Sequence, residues 1–168
     1  MPNPTHVTRI PPAESADAAA HFEALLRFET DCWDVHASLA TGEPDFVLLQ
    51  VTGDQAGFDR GHIAGATHLP PSMIDQETMA AYPDDTVFVV YCAGPHCNGA
   101  DRAAAKLAHL GRRVKKMLGG WIGWQDVGFS LVPSWAGAAR GGCPAHPLGC
   151  RSGQCARSPR IQGVGSSA

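Results

Sequence analysis

Residues 86–111 read TVFVVYCAGPHCNGADRAAAKLAHLG, and this stretch decides the fold. It opens on an apolar run of β-branched and aromatic residues, the composition of a strand buried on both faces of a parallel sheet. From Asn98 the period becomes helical. Ala103, Ala104, Leu107 and Leu110 share one face, Asn98 offers an N-cap, and Gly111 supplies a stop. A short loop, Ala93 to Asn98, joins strand to helix and carries a cysteine at each side of a Gly-Pro-His sequence.

Working outward, DFVLLQV (45–51) is a second compact apolar run of strand length. DQAGFDRGH reads as a short helical segment, GATHLP as a short strand ended by Pro70-Pro71, and PSMIDQETMAAY as helical. Downstream, RRVKKML is a third strand with charged flanks, and GGWIGWQDVGF a Gly turn into a short helix. Upstream, AESADAAAHFEALLRF (13–28) has Ala and Leu at helical spacing. A short strand at Phe28-Glu29-Thr30 and a second helix, DCWDVHASLATG, follow it. Strands alternating with helices imply an α/β sheet covered on both faces.

The bulk numbers narrow the function classes. The 168 residues suit one domain with tails, and 44% hydrophobic with 17% charged residues is ordinary for a globular protein. Four arginines and no acid lie beyond residue 135, so within the net −3 a globule of −7 carries a tail of +4. An acidic globule argues against a nucleic-acid partner, which needs a basic footprint. No apolar run reaches 18 residues, and MPNPTHVTRIPPAES lacks the pattern of a secretory signal. Neither a membrane partner nor export is therefore expected. A cytoplasmic location follows as the expectation, and with it reduced thiols at Cys32, Cys92, Cys97, Cys143, Cys150 and Cys155.

At the loop the residue types point to nucleophile chemistry. Cys92 follows the strand directly, at the end where open parallel sheets carry their functional loops. Gly94 and Gly99 let the backbone curl so that successive N–H groups turn inward, and the following helix adds its positive dipole end. Such surroundings stabilise a thiolate. Taken locally, Cys92 is equally a buried small hydrophobe at a strand end.

Three segments resemble the rhodanese family in order and spacing: GHIAGATHLP (61–70), VFVVYC (87–92) and LGGWIGWQDVGF (118–129), with Gly119, Gly120 and Trp124 in the places of a Gly-Gly-x-x-x-Trp signature. The resemblance spans residues 45–129 and implies a three-layer α/β sandwich on a five-stranded parallel sheet. It also implies a sulfurtransferase that carries sulfane sulfur as a persulfide on Cys92, passing it from a thiosulfate-like donor to cyanide or a thiol. The amides of Ala93, Gly94, Pro95, His96, Cys97 and Asn98 (Pro95 itself lacking an N–H) would form the substrate-binding loop. Neither cofactor nor metal is implied. Two departures stand out. Gln50-Val51-Thr52 replaces the family's usual Asp-x-Arg, and the loop runs two residues long. The first favours an alternative: a non-catalytic module that binds a protein partner or senses oxidants through Cys92 and Cys97. A long loop also suits phosphatases and arsenate reductases, but residues 93–98 lack the arginine those enzymes place there.

Cys97 has the spacing to close a disulfide with Cys92, or is itself the nucleophile at the helix N-terminus, or simply packs at the first helical turn. His96 is expected to be solvated, His62 to bond local backbone, Trp121 and Trp124 to pack, and Arg60 and Arg102 to offer attraction to an anionic donor. The organisation expected is a leader (1–12), an N-terminal helical extension (13–42), a rhodanese-like domain (43–135), and a Gly/Pro/Ser-rich basic tail (136–168) too poor in large aliphatics to order itself. The tail's Cys143, His146, Cys150 and Cys155 lack paired zinc-knuckle spacing and are read as free thiols.

Overall fold

The computed structural model describes residues 4–137. The expectations for the tail, its cysteines included, lie outside the described residues. Five parallel strands form one sheet in the order β1-β5-β4-β2-β3: β1 Glu29–Thr30, β2 Phe46–Gln50, β3 Thr67–His68, β4 Val87–Tyr91 and β5 Arg113–Met117. The apolar runs centred on 46–50 and 87–91 are the two innermost neighbours, paired from Phe46↔Val87 to Gln50↔Tyr91.

Both faces of these strands are buried, as their continuous hydrophobicity requires. Side chains alternate along a strand, so Phe88, Val90 and then Cys92 join one core cluster, with Leu49, Val51, Ile74, Met79 and Leu107. Val89 and Tyr91 join the other, with Leu48, Ile63, Met117 and Trp124. The first cluster is roofed by α5 (Gly99–His109), whose Ala103 and Leu107 face inward as the periodicity predicts. The second is covered by α2 (Cys32–Ala40) through Cys32 and Val35, and by α6 (Gly120–Asp126) through Trp124.

Several boundaries differ from the sequence expectation. The stretch 71–82 is not one helix. Asp75 turns back to cap the amide of Thr78 at 2.8 Å, which splits the stretch into a 3-10 turn, Pro71–Met73, and a four-residue helix α4, Gln76–Met79. Asn98 stands at the N-cap of α5 without a side-chain cap bond; its carbonyl accepts the Arg102 amide instead. The helical extension is not all outside the sheet. β1 pairs with β5, and Lys116 of β5 bridges Glu29 and Asp101 at 3.1 and 2.9 Å, so the packed unit reaches back to Glu29. The preceding helix α1 (Ser15–Phe28) buries none of its residues. At the other end residues 130–134 return to α3 (Gln55–Arg60), through the His62↔Val132 bridge and a Ser134 Oγ to Asp59 hydrogen bond of 2.8 Å. The chain continues into α7 (Ser134–Gly137).

Candidate active site

The direction of winding reverses between β2 and β4. From β2 the chain steps outward to β3, and from β4 it steps the other way to β5. The carboxyl ends of these two strands form the switch-point crevice where open α/β sheets bind ligands. Residues 51–54 and 92–98 emerge there side by side, tied by the Val51 amide to the Tyr91 carbonyl at 3.0 Å.

The loop's first half is fixed from outside. The amides of Trp121 and Ile122 donate to the carbonyls of Cys92 and Ala93 at 3.1 and 3.0 Å. Gly119 caps α6 in the left-handed region at φ 82°, and Gly120 follows at φ 60°. A Cβ on Gly120 would stand 2.3 Å from the Cys92 carbonyl oxygen and 2.7 Å from the Ala93 carbonyl carbon. That close approach is why the Gly-Gly pair is needed. Trp124, buried, packs in the core and donates its indole N–H to the Ser130 carbonyl at 3.2 Å, while Trp121 is partly buried against the same cluster.

The loop's second half closes on itself, the Cys97 amide donating to the Gly94 carbonyl at 3.0 Å. Cys92 is 4% exposed, and its Sγ donates to the Cys97 carbonyl at 3.1 Å and toward the Gly94 carbonyl at 3.9 Å. Cys97 is half-buried and its Sγ accepts the Gly99 amide at 3.4 Å. The two thiols differ in kind. Desolvation pushes the Cys92 thiol up, against an opposing pull from the Ala100 amide. The Gly99 amide brings Cys97 down, helped by the Cys92 thiol, the Ala93 amide and the Thr52 hydroxyl. The surroundings thus shift the two thiols in opposite directions, Cys92 up and Cys97 down.

The expected cradle of amides 93–98 is only partly realised. The Cys97 amide is committed to the turn, and the donors that reach sulfur include Ala93, Gly94 and two from the first turn of α5, Gly99 and Ala100. Pro95, His96 and Asn98 are exposed at the tip. His62 is buried, stacked on Phe58 at 3.9 Å with Nδ1 2.8 Å from the Phe58 carbonyl oxygen, a structural role as expected. Arg60 and Arg102 are exposed, and neither side chain makes a hydrogen bond or ion pair with Cys92, Cys97 or the loop. Two surface hollows, of about 240 and 440 Å³, lie elsewhere, one beside Thr30 and Val35, the other beside Phe28 and Ala108. Among the described residues no group of three or more His, Cys, Asp or Glu is placed to hold a metal, and no helix is long and apolar enough to cross a membrane.

The segment that departs from Asp-x-Arg has a defined place. Gln50 is buried at the end of β2; its Oε1 accepts from Tyr91 at 2.9 Å, and the Tyr91 hydroxyl accepts the Ile63 amide at 3.3 Å. The Gln50 amide nitrogen donates to the Thr52 carbonyl at 3.3 Å. A neutral network thus holds the strand ends, and Thr52 faces Cys97. The ends of β2 and β4 lie in register at Gln50 and Tyr91, which brings the two side chains together.

The family profile described as Rhodanese-like domain matches residues 34–127, more than half of the chain. The chain belongs to the rhodanese-like domain family. This rhodanese-like chain is 31% identical to the BH2092 protein from Bacillus halodurans, over 72% of this chain and 88% of that one, with a TM-score of 0.68. The rhodanese-like domain of the Alr3790 protein from Anabaena sp. shares the fold at 20% identity, covering 83% of this chain and 98% of that domain, TM-score 0.55. So does a Rhodopseudomonas palustris protein described as a possible tyrosine phosphatase, at 24% identity over 73% and 99% of the two chains, TM-score 0.53. None of the curated proteins matches the chain.

Proposed function

We propose that this rhodanese-like chain is a sulfurtransferase in which Cys92 takes sulfane sulfur from an anionic, thiosulfate-like donor and holds it as a persulfide. The observation that supports this most is the position of Cys92. It stands at the carboxyl end of β4, at the switch point, beneath the first amides of α5. Those amides offer fixed partial positive charge where the persulfide would develop negative charge. The acceptor class of this reading is cyanide or a thiol.

Thiosulfate-dependent sulfur transfer to cyanide or to a small thiol tests this. Cys92→Ser is expected to abolish it, and full activity in that variant would remove the proposal. A second reading has one observation behind it. Cys92 is almost covered, and a neutral Gln50–Tyr91 pair stands where the family usually places charge, which suits a partner-binding or oxidant-sensing module. Wild-type protein that releases no sulfite from thiosulfate would favour that module.

A further inference from the structure

We propose that Cys97 resolves the Cys92 persulfide, forming a Cys92–Cys97 disulfide and releasing hydrosulfide, so that the protein acts as a thiosulfate-reducing dithiol rather than only as a sulfur carrier. This rests on the sulfurtransferase reading above and names the fate of its intermediate. The geometry is that of two thiols converging on one point. A Cβ built on Gly99 would meet Cys97 Sγ at 3.3 Å and Cys92 Cβ at 3.5 Å, so the absence of a side chain there lets both cysteines share the space. The turn closed by the Cys97 amide and the Gly94 carbonyl folds Cys97 back over Cys92, whose Sγ lies 3.1 Å from the Cys97 carbonyl oxygen. Of the two, Cys97 is the more exposed and the better thiolate, because the Gly99 amide and the Cys92 S–H both stabilise its negative form.

The chemistry balances without an added oxidant. As Cys92 attacks the outer sulfur of thiosulfate, its proton passes to solvent, the S–S bond of thiosulfate breaks, and sulfite leaves with the bonding pair. Cys92 is now a persulfide anion and Cys97 a thiol. The Cys97 sulfur attacks Cys92 Sγ, the bond between Sγ and the sulfane sulfur breaks, and the Cys97 proton leaves with that sulfur as hydrosulfide. The dithiol is oxidised by two electrons and the sulfane sulfur reduced by two. An external dithiol reductant restores the pair for the next turnover.

The tryptic peptide 61–102 contains Cys92 and Cys97 and no other cysteine, so its mass reports on this pair alone. Fully reduced protein, freed of reductant, is treated with thiosulfate, and sulfite, sulfide and that peptide are measured. The wild type is expected to release both products, about one each per chain, and to leave the peptide lighter by about 2 Da, two hydrogens. Cys97→Ser is expected to release sulfite, cut sulfide at least about tenfold, and hold the peptide heavier by about 32 Da, one sulfur. Cys97→Ala replaces it if the serine variant lacks the native circular dichroism spectrum. Wild-type protein that keeps the added sulfur and frees no sulfide overturns the resolving role and leaves sulfur transfer standing. Sulfite release by Cys92→Ser but not by Cys97→Ser overturns it by reversing the two roles. No sulfite from any form removes the sulfurtransferase reading, and this one with it.

Discussion

Gly120→Ala is the substitution whose cost is best fixed by the structure. Two effects add. At φ 60° an alanine occupies the left-handed region, at a cost of about 1–2 kcal/mol. Its Cβ would also lie within 2.8 Å of three backbone atoms of Cys92 and Ala93, and backbone cannot yield as a side-chain end does. Separation of α6 from the loop breaks the Trp121 and Ile122 hydrogen bonds to those carbonyls, at about 1–3 kcal/mol for each group left unsatisfied. The sum is roughly 3–8 kcal/mol, against about 5–15 kcal/mol for a whole domain. Gly111→Ala is the control, because its φ is 76° and nothing stands within 4 Å. It carries the backbone strain alone, less about 0.4–1 kcal/mol for the stiffened unfolded chain. Urea unfolding followed by tryptophan fluorescence measures both. Gly120→Ala is expected to fall at least about 2 kcal/mol below Gly111→Ala, the minimum for two lost hydrogen bonds. Equal midpoints in the two variants would refute the close approach as the reason for the Gly-Gly pair.

Three further outcomes follow from the same contacts. Iodoacetamide at neutral pH should modify Cys97 before Cys92, since the first is pulled down by the Gly99 amide and the second pushed up by burial; Thr52→Val should move the Cys97 rate profile to higher pH, and peptide mapping of the alkylated sites checks both. Gln50→Leu and Tyr91→Phe each strand a buried partner and should each cost about 1–3 kcal/mol, while the double variant costs less than their sum; a chemical denaturation cycle measures the coupling, and strict additivity would contradict the network. Asp101, then Glu29, raise the Lys116 pKa above its ordinary value. Its stabilising contribution is therefore complete below the ordinary lysine range and lost as pH rises through the higher folded value. Thermal melts should show wild type losing its lead over Lys116→Met as pH rises from neutral into the alkaline range.

What the sequence made legible was whatever repeats along the chain. β2, β4 and α5 are continuous apolar or periodic patterns, and the burial they need is met locally, so their positions read directly from residue types. The place of Cys92 at the end of the inner strand was equally legible. What long-range contact decides was not. A short strand is expected at 28–30, but only the pairing of Glu29 and Thr30 with Lys116 and Met117 places it at the sheet edge beside β5. Asp75 interrupts a helical-looking stretch because its carboxylate outcompetes the backbone locally. The ranking of the two thiols depends on a fraction of exposure and on which amide each sulfur meets. Spacing placed both in one loop, and only the folded turn shows that Cys97 gains the Gly99 amide while Cys92 loses water.

The clamp of α6 on the loop has a consequence for motion. Residues 92 and 93 are fastened to a packed helix, whereas residues 95–97 are held by a single turn hydrogen bond and by sulfur contacts. The loop is thus hinged rather than uniformly soft, with Gly94 as the pivot and Pro95-His96 as the travelling end. Hydrogen–deuterium exchange should divide it accordingly, the Trp121 and Ile122 amides protected and the Cys97 amide open. A donor reaching Cys92 would then enter by lifting the tip, and the same displacement carries Cys97 away from its partner until the donor has been spent.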